Sequence, residues 1–165
     1  MDKAFLCAMA VYDEETQRRI DSIRARLIQA GLVGEQTKNL PHHITLGIFQ
    51  PEGRAEASAA MEEALCQARG FPVTFNHIGV FGGGKVLFLA PDTNRELLAL
   101  KEHFGTSWGW TAHTTLFIGP PPLVCTALPL ALEGFSAFEG QVEGLQLYQF
   151  QPRELLAQGT LPRHP

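Results

Sequence analysis

The chain has 165 residues, a net charge of −4 and 45% hydrophobic residues, a composition typical of a globular protein and unlike that of a disordered segment. A chain of this length can bury a core without disulfides or a structural metal, and we expect one domain over residues 1–165. The negative charge excludes a general nucleic-acid coat protein, because non-specific affinity comes from many Lys and Arg contacts with phosphate.

The cysteines and the N-terminal sequence indicate the cellular compartment in which the protein is expected to work. The three cysteines, Cys7, Cys66 and Cys125, are far apart and form no C-x-x-C pair, as is usual for reduced thiols in the cytoplasm. The start of the chain lacks the basic residues and long apolar stretch of a secretion signal, and no later segment is apolar enough to span a membrane. We expect a cytoplasmic protein without membrane association.

The first half of the chain predicts two strands and two helices. An apolar strand over 4–12 is followed by a helix over 13–30, which Asp13 caps and Gly31 ends. A strand that contains His43 comes next. A regular stripe of apolar residues then predicts a second helix over 55–69.

The second half begins with two predicted strands, 71–81 and 85–90, joined by a glycine-rich turn. The segment Thr93-Asn94-Arg95-Glu96 fits a capping box at the start of a helix that ends near Gly105. A strand containing His113 follows. The segment 123–140 is ambiguous because Pro129 interrupts it, and 142–150 predicts a closing strand.

The order of these elements contains a repeat. Strand 4–12, its helix and the His43 strand are matched by strand 85–90, its helix and the His113 strand. We infer two lobes with similar connections, each contributing one histidine strand.

Each of these histidine strands carries the same short phrase. His43 begins "HITL", and His113, seventy residues later, begins "HTTL". Because side chains alternate between the faces of a strand, His43 is expected to share a face with Thr45 and Phe49. By the same argument His113 shares a face with Thr115 and Phe117. We expect the two phrases to face each other across a cleft, where the phenylalanines could stack on a base.

Two imidazoles and two hydroxyls around one small volume suit phosphoester chemistry. Near neutral pH a neutral imidazole can take a proton from an attacking oxygen while a protonated one gives a proton to the leaving oxygen. The hydroxyls of Thr45 and Thr115 would donate hydrogen bonds to non-bridging phosphate oxygens. This chemistry requires no metal or other cofactor.

The paired phrases and the segments around them resemble the two-histidine phosphoesterase superfamily, and within it the bacterial 2′-5′ RNA ligase and RNA 2′,3′-cyclic phosphodiesterase group. The likeness includes "AFLCAMAV", "NLPHHITLGIF", "IGVFGGGKVLFLAP" and "AHTTLFIG", and it weakens after Pro120. It implies an α+β fold of two pseudo-symmetric lobes, with antiparallel sheets lining a central cleft and helices outside.

The resemblance also implies hydrolysis of 2′,3′-cyclic phosphates to 2′-phosphates, or 2′-5′ RNA ligase activity. It makes His43 and His113 the catalytic residues and places Thr45 and Thr115 on the phosphate. We expect the protein to act as a monomer on an RNA end or a small cyclic nucleotide.

One departure from the family keeps an alternative open. Bacterial members often carry a basic residue two positions after the second phrase, where this chain has Ile118. The alternative is a phosphate- or RNA-binding protein that has the same cleft but little turnover.

Two further functions are disfavoured by the sequence. A zinc site built from His42, His43, His77 and His113 would lack clustered ligand spacing, cysteine pairs and an obvious carboxylate. The segment 79–86 matches the start of a nucleotide-binding phosphate loop, but it ends in Val86 instead of Ser or Thr and leads into a strand instead of a helix.

Overall fold

The structure, a computed structural model, describes residues 3–163, which form seven strands and four helices. The strands are β1 (Phe5–Tyr12), β2 (His43–Phe49), β3 (Phe71–Val80), β4 (Val86–Pro91), β5 (Thr114–Ile118), β6 (Phe138–Phe150) and β7 (Glu154–Thr160). The helices are α1 (Glu14–Gln29), α2 (Arg54–Gln67), α3 (Arg95–Glu102) and α4 (Pro121–Leu132), and a single 3-10 turn (Pro51–Gly53) precedes α2. In the range 3–163 no helix has the length and apolar character needed to cross a membrane.

All strand pairs are antiparallel, in the order β2-β1-β6-β3-β4-β5, with β7 added to β6. The predicted α+β fold with antiparallel strands is therefore confirmed. The strands of the two lobes join into one hydrogen-bonded sheet, because the long strand β6 belongs to both. Its first part, Phe138–Val142, pairs with β3, and its remainder, up to Phe150, pairs with β1.

The core lies on one face of this sheet, between the strands and the helices. On β1 the residues Leu6, Ala8 and Ala10 have no exposed surface, as strand alternation predicts for one buried face. Helix α1 buries its own apolar stripe on the same core, and its start is fixed by Asp13, whose Oδ1 accepts a hydrogen bond from the N–H of Thr16 at 3.0 Å. The predicted cap of this helix is confirmed.

Three local predictions differ from the structure. Helix α3 is capped by Asn94, whose Oδ1 accepts from the N–H of Leu97 at 2.8 Å, so the cap lies one residue after the expected Thr93. The ambiguous segment begins inside α4, which contains Pro129 and ends three residues after it. Strand β7 was not predicted; its side chains are mostly exposed, and its pairing with β6 is a tertiary contact.

Candidate active site

A cleft lies on the other face of the sheet, the face that carries Cys7 and Met9 of β1. Antiparallel partners share a face, so Thr45 of β2, which pairs with Met9, points into this cleft. His43 and Thr115 also line it. His113, the residue before β5, is not among the residues that line this cleft, and its charge lowers the pKa of His43. The structure thus places three of the four polar residues that the two phrases predict in one cleft, with His113 two residues before Thr115.

Both imidazoles are held in the same way. The Nδ1 of His43 lies 2.8 Å from the carbonyl oxygen of Pro41, and the Nδ1 of His113 lies 2.9 Å from the carbonyl oxygen of Thr111. A carbonyl can only accept, so each Nδ1 carries a hydrogen and donates it. In the neutral ring Nε2 is therefore the free base, and in the charged ring it is the proton donor. In each phrase, a hydrogen bond to the carbonyl oxygen of the residue two positions earlier fixes the tautomer of the histidine.

The environment of His43 favours its neutral form. Burial lowers its pKa below the ordinary value of 6.5, and the hydrogen bond to the Pro41 carbonyl opposes this effect. Positive charge on His42 or His113 lowers the pKa of His43 further. Burial and the neighbouring imidazoles therefore favour a neutral His43.

His113 is packed differently, against two aromatic rings. Its ring meets Phe81 edge to face at a centroid distance of 4.7 Å, and Phe88 at 5.7 Å and 66°. These contacts restrict the rotation of the imidazole, which remains half-buried. Phe88 is the partner of Thr115 across the β4–β5 pair, so the ring of His113 and the Thr115 hydroxyl are positioned by one neighbouring strand.

The prediction that Phe49 and Phe117 share the face of the histidines is wrong. In both phrases the leucine is the extra residue of a β-bulge: Leu46 has no partner on β1, and Leu116 has none on β4. An extra residue reverses the alternation after it, so Phe49 and Phe117 turn toward the core. Phe117 is only 2% exposed and packs there with Leu87.

The bulges bring two isoleucines to the cleft instead. Ile48 pairs with Cys7, Ile118 pairs with Val86, and both isoleucines line the cleft. Each lies five residues after its histidine. Ile118 occupies the position at which the sequence comparison with the bacterial group leads one to expect a basic residue, and its apolar side chain lines the same cleft as Thr45 and Thr115.

Sequence reasoning missed the contacts that join the two phrases. Thr114, buried between them, donates its hydroxyl hydrogen to the carbonyl oxygen of His43 at 3.1 Å and accepts one from the hydroxyl of Tyr12 at 2.6 Å. The Nε1–H of Trp110 donates to the carbonyl oxygen of Thr45 at 3.1 Å. The available signal was the polar residue at position 114, where the first phrase has the apolar Ile44.

The loop before β2 makes the reciprocal contacts with β5. The N–H of Glu35 donates to the carbonyl oxygen of Ile118 at 2.8 Å, and the N–H of Ile118 donates to Oε1 of Gln36 at 3.2 Å. Each loop that leads into a histidine strand is thus fastened to the edge strand of the other lobe. These bonds fix the width of the cleft between the two phrases.

A family profile, described as the 2′-5′ RNA ligase superfamily, matches residues 12–151, which contain both phrases and the strands β2 to β6. The chain belongs to the 2′-5′ RNA ligase superfamily. A search of curated proteins finds no match to the chain.

Solved structures of other proteins share the fold of this chain. Escherichia coli LigT, complexed with ATP, is 19% identical, with a TM-score of 0.62 over 99% of this chain and 100% of LigT. LigT complexed with 3′-AMP gives the same identity and TM-score over 98% and 100% of the two chains. The protein TT0787 of Thermus thermophilus is 15% identical, with a TM-score of 0.62 over 98% and 100%. At these identities the likeness establishes that the chain has the LigT-like fold.

Two other histidines, His42 and His77, do not belong to the predicted catalytic pair of His43 and His113. His42 is buried, faces away from His43, and donates its Nε2–H to Oδ1 of Asp21 at 2.8 Å. His77 lies 3.6 Å from Asp92 on the exposed part of β3. Within residues 3–163 no three His, Cys, Asp or Glu side chains are grouped as metal ligands would be. The polar side chains at the cleft therefore come from the two phrases, from His42 and from three residues more distant in the chain, Arg24, Gln36 and Thr37.

Proposed function

We propose that the protein is a metal-independent cyclic phosphodiesterase that hydrolyses 2′,3′-cyclic phosphates, on RNA ends or small nucleotides, to 2′-phosphates. The observation that carries the proposal is the pair of imidazoles with Nδ1 fixed on backbone carbonyls and Nε2 left for substrate, beside two threonine hydroxyls. Membership of the 2′-5′ RNA ligase superfamily supports a phosphoesterase or ligase reaction. The LigT complexes with ATP and 3′-AMP support a nucleotide as the ligand.

The proposed reaction has one displacement at phosphorus. Nε2 of the neutral His43 takes a proton from a water molecule, whose oxygen attacks phosphorus. The bond from phosphorus to O3′ breaks, and Nε2–H of the protonated His113 gives its proton to O3′. The product has a 2′-phosphate and a 3′-hydroxyl. Exchange of the two protons with solvent then restores the starting state.

The threonines complete the site. Thr45 and Thr115 donate their hydroxyl hydrogens to the non-bridging oxygens, where negative charge increases during the attack. The Thr45 Oγ1 lies 3.8 Å from Sγ of Cys7, a thiol whose pKa is raised by burial to about 11 and which stays uncharged. If a 5′-hydroxyl attacks in place of water, the same proton transfers form a 2′-5′ linkage, which is the ligase reaction.

The assay uses 2′,3′-cyclic AMP and an oligonucleotide with a cyclic phosphate end, each with EDTA present. We expect a linear 2′-phosphate product, lost in His43→Ala and in His113→Ala. The matched control is His77→Ala, which removes an exposed imidazole outside the cleft and should keep the activity. Loss of activity on adding EDTA would contradict the metal-free reaction.

A second candidate is a nucleotide- or RNA-binding protein with little turnover, favoured by the apolar Ile118 in the cleft. It predicts that the wild-type protein binds these substrates and releases no product.

We also propose that the protein works in the cytoplasm as a monomer. The free thiols of Cys7, Cys66 and Cys125 support the first point, and a site built from one chain supports the second. Light scattering at assay concentration tests the monomer.

A further inference from the structure

The cleft has an uneven distribution of charge. Among the described residues that line it, Arg24 is the one side chain with a permanent positive charge. Much of the remaining lining is apolar: Phe5, Met9, Leu40, Ile48, Ile118 and Phe150. A nucleotide substrate carries negative charge wherever it has a phosphate, so the position of Arg24 bears on where that charge can lie.

Arg24 comes from helix α1 and reaches the cleft beside His42. It is half-buried, and its charge lowers the pKa of the His42 imidazole, which places the guanidinium near the start of β2. Asp21, one helical turn earlier, is the nearby carboxylate, and it accepts a hydrogen bond from His42. Arg24 therefore lies to one side of the phrases, next to the residue that precedes His43.

The guanidinium of Arg24 is available to a ligand. Within residues 3–163 it makes no salt bridge and no hydrogen bond, in contrast to two other arginines of the same helix. Arg18 pairs with Glu14 at 2.9 Å, and Arg19 pairs with Glu15 at 3.2 Å. An arginine has five N–H donors in a planar arrangement that matches two phosphate oxygens, and here they border the cleft.

Two uncharged groups border the cleft with Arg24. Gln36 uses Oε1 to accept the N–H of Ile118 at 3.2 Å, which leaves its NH2 group as a donor. Thr37, the next residue, contributes a hydroxyl to the lining. Both belong to the loop that is fastened to β5, so these donors are held in place before a ligand binds.

We propose that Arg24, with Gln36 and Thr37, binds a second phosphate of the substrate, separate from the cyclic phosphate held between the two phrases. The group that fits is the phosphate on the 5′ side of the nucleotide whose cyclic phosphate reacts. This inference rests on the proposed function and deepens it. The preferred substrate is then an RNA end, where that phosphate is the preceding linkage, and an isolated 2′,3′-cyclic nucleoside phosphate is a poorer one.

The test compares adenosine 2′,3′-cyclic phosphate with and without a 5′-phosphate, two substrates that differ only in the second phosphate. For the wild-type protein we expect kcat/KM to be at least about tenfold higher with the 5′-phosphate, mainly through KM, since charge-assisted hydrogen bonds to phosphate have this strength. Arg24→Ala should reduce the preference to about twofold or less and leave the values for the other substrate nearly unchanged. Arg18→Ala, on the same helix, is the matched control and should keep the preference.

Each other outcome overturns the inference or supports it by a second route. Equal losses on both substrates in Arg24→Ala would assign the arginine to the reacting phosphate and overturn it, as would an unchanged preference. If the wild-type protein hydrolyses neither substrate, the proposed function fails, and calorimetry then compares adenosine 2′,5′-bisphosphate with 2′-AMP. Tighter binding of the bisphosphate that is lost in Arg24→Ala supports the subsite, and equal binding overturns it.

Discussion

The two phrases are alike in the geometry that makes a site and differ in their surroundings. In each, the histidine Nδ1 donates to the carbonyl two residues earlier, and the leucine, Leu46 or Leu116, forms a bulge. The surroundings differ: His43 is the more deeply buried ring, while His113 packs against Phe81 and Phe88. The shared features orient the two imidazoles alike, and burial lowers the pKa of His43.

The largest difference between the phrases is at their second residue. Ile44 is apolar and packs in the core, whereas Thr114 makes a hydrogen bond to the carbonyl oxygen of His43. Thr114 of the second phrase therefore holds the backbone of the first at His43, and the apolar Ile44 makes no corresponding hydrogen bond to the second. The two phrases are thus alike in their histidine and in the threonine two residues after it, and differ in the contacts that hold them together.

Substitution of Thr45 and Thr115 tests whether the two phrases contribute equally to the reaction. We expect Thr45→Val and Thr115→Val each to lower kcat by about 10²–10³, because each removes one donor to the charge that develops on phosphate. The measurement is the steady-state rate on a cyclic phosphate substrate. Thr45→Ser and Thr115→Ser keep the hydroxyl and should retain most of the rate. A large effect for one threonine alone would show that the two sides do not contact the phosphate equally.

The strand alternation in the sequence was sufficient for the four central residues and failed just after them. His43 and Thr45 lie before the bulge, so their common face follows from a period of two, and the same holds for His113 and Thr115. The bulge reverses the pattern for Phe49 and Phe117. A leucine at the bulge has no local signature, because the extra residue is defined by the pairing with another strand.

Other parts of the site depend on contacts that no local pattern records. Helix α1 was predicted from its apolar stripe, but the contact of Arg24 with the cleft depends on the loop that wraps past His42. The hydrogen bonds of Trp110 and Thr114 join segments that are 65 and 71 residues apart. The elements before α4 followed from periodicity and turn signals, and the α+β fold class was implied by the resemblance to the two-histidine phosphoesterases. The fastening of the two lobes required the structure.

A pH titration tests the lowered pKa of His43. Because burial lowers the pKa of His43 below 6.5, its neutral form persists to lower pH, and the acid limb of the rate profile should have its midpoint below pH 6.5. Below that midpoint the rate should fall about tenfold per pH unit. An NMR titration of the imidazoles should show the same midpoint for His43.

The titration also reports on the partner ring. Removing a positive neighbour should raise the pKa of His43, so His113→Asn is expected to move the His43 midpoint upward. His77→Asn, outside the cleft, should leave it unchanged. A His43 midpoint above pH 6.5 would contradict the lowered pKa of His43. An unchanged midpoint in His113→Asn would contradict the effect of His113 on that pKa.

The smallest expected effect concerns Thr114. Thr114→Val keeps the shape of the side chain but leaves the Tyr12 hydroxyl and the His43 carbonyl without their partner, and should lower the free energy of unfolding by about 1–3 kcal/mol. We expect kcat to fall several-fold with little change in KM, since His43 loses its support, and Thr114→Ser to restore both. Urea unfolding and steady-state kinetics measure the two effects.

The control for Thr114 is its counterpart in the first phrase. Ile44→Val removes one methylene from the core and should cost about 0.5–1.5 kcal/mol without changing kcat. Because Tyr12 acts through Thr114, Tyr12→Phe added to Thr114→Val should cost less than the sum of the single changes. If Thr114→Val lowers stability and leaves kcat unchanged, the residue only joins the lobes. A fall in kcat that Ile44→Val does not reproduce assigns it the positioning of His43.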